Sequence, residues 1–253
     1  MKKSSLDDYR YFLKDTIRKS IDFSQTAQSR GIPPPPLEKP FPDKAKRIGL
    51  ITPGKWHTIE DVSLATAIQN RKSRRNYRSE PLSLEELSFL LWATQGIRRR
   101  IDSGHAYRNV PSAGCRHALE TYICVVNVEG LERGIYRYLP LEHELLLEFL
   151  DDRIGEKTVS AVFGQPYPGT SAVTFLWTAI PYRMEWRYDL AAHKVIAIDA
   201  GHVCQNLYLA CESIGAGMCA VAAYDQEALD ELLRIDGKEE FAIYLASVGK
   251  AYN

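Results

Sequence analysis

From position 71 to 77 the chain reads Arg-Lys-Ser-Arg-Arg-Asn-Tyr, which places Arg71, Lys72, Arg74 and Arg75 around the hydroxyl of Ser73. An arginine presents a planar fork that binds oxyanions through two bonds, and a lysine presents a point charge. Such a run could grip a phosphate and leave one cation for a second task. It follows the apolar positions Leu64, Ala67 and Ile68, so on its own it also reads as the solvated basic end of a helix, where cations are favourable. Three other segments suit a flat, phosphorylated ligand: the turn Pro111-Ser112-Ala113-Gly114, the glycine pair of Gly215-Ala216-Gly217, and Lys250 at a strand end. Spacing alone does not bring them together.

Other chemistries find less support. The six histidines never fall at metal-ligand spacing with one another or with cysteine. No serine sits in a Gly-x-Ser-x-Gly elbow, and neither a P-loop nor a Gly-x-Gly-x-x-Gly follows a strand. Cys115, between Gly114 and Arg116, is either a thiol of lowered pKa or a small residue beside a turn. Asp199 and His202 are spaced to pair on a helix.

Composition narrows the class. The 253 residues are 45% hydrophobic and 25% charged, which is ordinary globular usage. Net charge is zero and the pI is near 7.0, so Arg98-Arg99-Arg100 reads as a solvated loop and nucleic acid is not expected as a partner. The longest apolar stretch, 172–180, is too short to span a membrane. The charged N-terminus lacks the apolar core of a signal peptide. Five cysteines, an odd number without a Cys-x-x-Cys pair, suggest reduced thiols and a cytoplasmic protein.

The elements that must position these residues follow from periodicity. Leu6, Tyr9, Leu13, Ile17 and Ile21 form one helix face over 6–29. Pro33 to Pro36, Pro40 and Pro42 impose an extended arm, which divides the chain into an N-terminal helix and arm, 1–55, and a main domain, 56–253. Such appendages often lie across a partner subunit. Ser63 opens a helix to residue 72. Ser83 and Glu86 form a capping box, and Gly96 is expected to close that helix as a left-handed cap. Residues 97–110 read as a polar loop. Strands are expected at 119–128 and 172–180, which are buried, and at 134–138, which is half-buried and pairs with 145–149. Residues 183–214 read as largely helical. A strand at 218–223, a helix entered by Asp225 and a last strand at 241–248 complete an α+β pattern.

Arg71-Lys-Ser-Arg-Arg-Asn-Tyr, Leu82-Ser-Leu-Glu-Glu-Leu and Pro111-Ser-Ala-Gly-Cys-Arg-His, in this order, resemble the nitroreductase-like flavoproteins. Gly134-Ile-Tyr-Arg-Tyr with Pro140 and His143, and Asp199-Ala-Gly-His with Gln205-Asn-Leu, resemble more narrowly the SagB-type branch, the azoline dehydrogenases of thiazole- and oxazole-modified peptide synthesis. The resemblance covers residues 63–250.

It implies an α+β fold with a central, mostly antiparallel sheet flanked by helices, in an intertwined homodimer with FMN at the interface. It implies an FMN-dependent oxidoreductase working by ping-pong transfer, with NAD(P)H or a small organic donor. The alternative is a catalytically degenerate flavin-binding partner or sensor. Arg71, Lys72 and Ser73 would hold the phosphate and ribityl end, and Arg75 would sit at the flavin N1 and O2 edge. Pro111, Ser112, Ala113 and Gly114 would come from the other subunit. Gly215, Ala216, Gly217 and Met218 would pass the ring, Lys250 would reach the phosphate, and Arg74 is left as surface charge.

Two departures accompany the resemblance. Cys115 stands where many nitroreductases have Asn. Arg187-Tyr188 stands near the Lys-Tyr pair of the azoline dehydrogenases. Arginine stays protonated, so Tyr188 is the residue of that pair that could move a proton.

Overall fold

The computed structural model describes residues 6–252; the first five residues of the expected N-terminal helix and arm lie outside it. Helix α1 (Leu6–Leu13) is followed by short 3-10 turns and an extended proline-rich strap. Then come β1 (Arg47–Gly49), α2 (Leu64–Asn70), α3 (Leu84–Gln95), β2 (Ile97–Arg100), β3 (Ala106–Arg108), β4 (Leu119–Val125), β5 (Gly134–Leu139) and β6 (Glu144–Leu150). The second half holds α4 (Ile154–Ala161), α5 (Tyr167–Thr170), β7 (Val173–Ala179), α6 (Tyr182–Tyr188), α7 (Ala192–Glu212), β8 (Ala216–Val221), α8 (Gln226–Leu233) and β9 (Phe241–Lys250).

Seven strands form one sheet in the order β1-β6-β5-β4-β7-β9-β8, and every neighbouring pair is antiparallel. Successive residues of a strand face opposite sides, and here both sides are covered. Ile123, Phe175 and Trp177 pack with Leu90 and Leu91 of α3 and Leu207 of α7. Tyr122, Cys124 and Leu176 pack with Ile154 of α4 and Leu229 of α8 on the other side. This double cover makes β5 buried along its whole length, where alternation of its residues suggested a half-buried strand.

The expected helix over 6–29 stops at Leu13. Its stripe residues Leu6, Tyr9 and Leu13 are exposed, and further on the Asp22 carboxylate accepts bonds from the Ser24 backbone and hydroxyl, which competes with helical pairing. The helix expected over 183–214 is broken at Asp189 (φ 48°, ψ −136°) into α6 and α7. Gly96 is extended (φ −56°, ψ 140°), not left-handed, because the chain passes directly from α3 into β2. Glycine is needed there for another reason: a Cβ would lie 2.6 Å from the Trp92 carbonyl oxygen. The supposed loop 97–110 contains the hairpin β2-β3. The capping box at Ser83 and Glu86 is present with both bonds.

Residues 47–49, inside the expected arm, form the edge strand β1 paired with β6. The strap before them is pinned to the body. Glu120 accepts from the Lys39 backbone N–H at 2.8 Å, Arg137 donates to the Lys39 carbonyl at 2.8 Å, and Arg108 donates to the Leu37 carbonyl at 2.9 Å. Trp186 of α6 donates to the Ile32 carbonyl at 2.9 Å. Beneath the strap Glu120 is buried between Arg183 (2.5 Å) and Arg137 (3.6 Å). Burial opposes its charge, but the two guanidiniums outweigh that effect and hold its carboxyl below the usual range.

Candidate functional site

Residues 71–77 lie along the edge of the sheet beside β8. Ser73 bridges Met218 in parallel, the Arg74 N–H donates to the Met218 carbonyl at 2.9 Å, and Tyr77 bridges Ala251. The Tyr77 hydroxyl fixes the bend through the Arg74 carbonyl (2.7 Å) and Ser247 Oγ (2.6 Å). Ser63 caps α2 as expected, and Arg71 ends it. The backbone pairing therefore aims the run: Arg71 stands 5.0 Å over the Tyr208 ring of α7, Ser73 Oγ is 2.8 Å from the Tyr208 hydroxyl, and Arg75 is 5.7 Å from the Tyr167 ring of α5. A hydrogen bond to Tyr167 holds the Arg75 guanidinium above its ordinary pKa.

Arg74 is not surface charge. It is half-buried, pairs with Glu212 of α7 at 3.0 Å, and leaves its Nε buried without a partner. Its stem crosses Gly217 so closely that a Cβ there would meet Cδ at 2.6 Å. Lys250 shares this end of the sheet, but its ammonium is held by Glu86 and the Ile214 carbonyl. Arg71, Lys72 and Arg75 have no acidic partner among the described residues. A cavity of about 1160 Å³ opens beside Lys72 and Arg75, lined also by Ser73, Asn76, Thr170 and Tyr252, among others.

The second cluster gathers at the turn 111–114. Gly114 (φ 56°), Cys115 (φ 54°) and His117 (φ 46°) adopt left-handed backbone, a strained arrangement for the latter two. Ser112 Oγ accepts from the His117 N–H at 2.9 Å. The end of α6 packs on Gly114: a Cβ there would meet the Tyr188 hydroxyl and the Arg187 Cδ at 2.7 Å each. Asp199 of α7 lies under the turn with Oδ2 buried and unpartnered. Burial lifts its pKa above the usual carboxylate range, against hydrogen bonds from Ser112 and the Ala113 N–H. Its distance to His202 is 4.0 Å, so the expected pairing is loose.

The two clusters occupy opposite ends of the sheet. Leu119, after the turn, pairs with Ala179, whereas Val125 pairs with Val173, and Val173 leads through Val248 to Met218. The length of β7 separates them, roughly 20 Å at ~3.3 Å per residue. Along α7, Asp199 and Glu212 are separated by a similar rise at ~1.5 Å per residue. Tyr208, Tyr167 and the role of Arg74 escaped the sequence, because each follows from pairing between segments far apart in the chain. No group of three His, Cys, Asp or Glu able to hold a metal occurs among the described residues.

The seven-stranded antiparallel sheet, covered by helices on both faces, has its fold in common with solved nitroreductase structures. The family pattern matches residues 68–250, and the chain belongs to the nitroreductase family. MJ1384 of Methanocaldococcus jannaschii, a nitroreductase by name, is 32% identical over 192 residues, spanning 76% of this chain and 93% of its own. The trifolitoxin-processing protein TfxB of Rhizobium leguminosarum bv. trifolii is 25% identical over 163 residues, spanning 61% of this chain and 44% of its own. A structure from Ralstonia eutropha JMP134, described as a nitroreductase, superposes at TM-score 0.68 and 26% identity over 87% of this chain and 99% of its own. A chain of the E. coli microcin synthetase McbBCD complex with truncated pro-MccB17 superposes at TM-score 0.60 over 100% of this chain and 99% of its own; at 15% identity it shows the fold alone.

Proposed function

We propose that the protein is an FMN-dependent oxidoreductase that works as a homodimer, each FMN lying between the basic edge of one copy and the glycine turn of the other. The observation that carries this reading is the pair of cations without acidic partners, Lys72 and Arg75, lining a large cavity at one end of the sheet, with Arg71 next to them in the chain. A phosphate of charge ~−1.5 to −2 takes two or three cations, and the donors present suit it. The turn at 111–114 lies too far along the sheet to touch the same ligand within one chain, which favours a site made by two chains.

FMN, when bound, supplies hydride transfer from NAD(P)H or a small organic donor to an acceptor in a ping-pong cycle. Arg71, Lys72 and Ser73 would hold its phosphate end, and Gly215 to Met218 would flank the ring beside Arg74. Arg75 would stabilise negative charge that develops on the reduced ring. Lys250 would reach the phosphate only by leaving Glu86, its ion-pair partner. Tyr188 holds or moves a proton at its hydroxyl, above Gly114.

The similarity to TfxB, a toxin-processing protein by name, favours the SagB-type branch. In that branch the reactant is a peptide-borne azoline, and Arg187 here cannot serve as the base. No helix among the described residues is long and apolar enough to cross a membrane, and the free thiols fit a reducing cytoplasm. The test is the visible spectrum of the purified protein, followed by NAD(P)H oxidation with a quinone or nitroaromatic acceptor. Yellow protein with turnover is expected. Colourless protein that takes up no added FMN overturns the reading.

A further inference from the structure

Arg187 is the last arginine of α6, and its stem is wedged against the glycine turn. The Cδ and Nε lie 2.7 and 2.8 Å from the position of a Gly114 Cβ, and the guanidinium lies 5.5 Å over the Tyr188 ring. Glu185 of the same helix pairs with His193 (2.8 Å), Asp15 with Arg18 (2.7 Å) and Asp102 with His105 (2.8 Å), and Asp189, the exposed C-cap residue of α6, forms no ion pair with Arg187. Arg187 makes no ion pair or hydrogen bond with a protein acceptor among the described residues, and the Tyr188 hydroxyl makes none either. Another cation, Arg116, feels the charge of Arg187: the Arg116 pKa is lowered first by burial and then by Arg187.

An arginine held by packing, beside a second arginine and a free hydroxyl, with no anion of its own, is a receptor built for one. One fork and one hydroxyl match the two oxygens of a carboxylate. A phosphate would find more cations at the other end of the sheet. We propose that Arg187 and the Tyr188 hydroxyl bind the carboxylate of the organic reactant, which rests on the oxidoreductase reading above. Arg187 is thus the residue that selects anionic over neutral reactants, and Gly114 is the position that leaves room for it.

The experiment is calorimetric titration of the purified protein with benzoate and with its neutral isostere benzamide, with flavin content read from the visible spectrum of the same sample. Benzoate is expected to bind about tenfold more tightly than benzamide, the discrimination that one charge-assisted contact gives. Arg187→Gln should abolish that preference without changing benzamide affinity, and Arg187→Lys should keep part of it. Equal affinity of the wild type for both probes overturns the proposal, as does a preference that survives Arg187→Gln. If circular dichroism shows that Arg187→Gln does not fold, the wild-type pair of titrations and Arg187→Lys decide. A colourless sample that still prefers benzoate sinks the flavin reading and keeps the carboxylate site; a yellow sample with no preference does the reverse.

Discussion

Arg74 lies across Gly217 with its Cδ 2.6 Å and its Cβ 2.8 Å from where a side chain would begin. The contact locks the basic run to β8, and the Arg74–Glu212 pair locks the same run to α7. Gly217→Ala therefore has no room. It is expected to cost about 1 to 3 kcal/mol of stability, as overpacking does, and to lower the melting temperature. It should also reduce the flavin retained through purification. A variant with unchanged melting temperature and flavin content would show that the run is not held by this contact.

Cofactor affinity should divide between the cations according to their partners. Arg71→Ala and Lys72→Ala each remove a cation with no acidic partner, and each should weaken FMN binding by about 1.5 to 3 kcal/mol in a fluorescence titration. Lys250→Ala should act differently, because Lys250 is paired with Glu86. Its main effect should be lower stability from the half-stranded Glu86 carboxylate, measured by chemical denaturation. A larger loss of FMN affinity from Lys250→Ala than from Arg71→Ala would reverse the assignment.

Much of this arrangement could be read from the chain, and the failures share a cause. The Ser83–Glu86 capping box and the β4 run were legible because each depends on neighbours within a few residues. Gly96 was misread because its glycine answers to Trp92, not to a left-handed turn. Arg74 was misread because nothing near it in sequence announces Glu212 or Gly217. The charge on Arg71 and Lys250 looks alike in sequence; only the fold pairs one with Glu86 and leaves the other open.

Arg75 faces the cavity from the edge of the sheet, and a hydrogen bond to Tyr167 raises the pKa of its guanidinium further above neutrality. Arg75→Leu should lower the flavin midpoint potential while leaving most of the cofactor bound. Loss of one charge-assisted interaction of about 1.5 to 3 kcal/mol corresponds to roughly 30 to 60 mV for a two-electron couple. Redox titration against a reference dye measures it, and an unmoved potential would place Arg75 away from the ring.

The strap carries a pH dependence of its own. Glu38 is 8% exposed, and burial, with Glu142 nearby, raises its carboxyl from 4.5 to about 7. In this range the folded chain holds a proton that the unfolded chain has lost, so stability falls as pH rises from 4.5 through about 7. The full loss is at most roughly 3 kcal/mol. Glu38→Gln keeps an oxygen to accept from the Leu141 N–H and has no charge to lose. Its melting temperature should be flatter across this window and higher than that of the wild type at pH 8. A parallel pair of melting curves would rule out Glu38 as the group responsible.

The separation of the two clusters by the length of β7 has a genetic consequence. In the two-chain arrangement, each cofactor draws its basic edge from one copy and its glycine turn from the other. A copy disabled at Arg71 and Lys72 and a copy disabled at Gly114 are then complementary. Mixed in one dimer, they leave one site doubly damaged and the other whole. Two inactive alleles expressed together would give each hybrid dimer up to half the activity of the wild-type dimer, whereas two lesions in the same cluster would restore none.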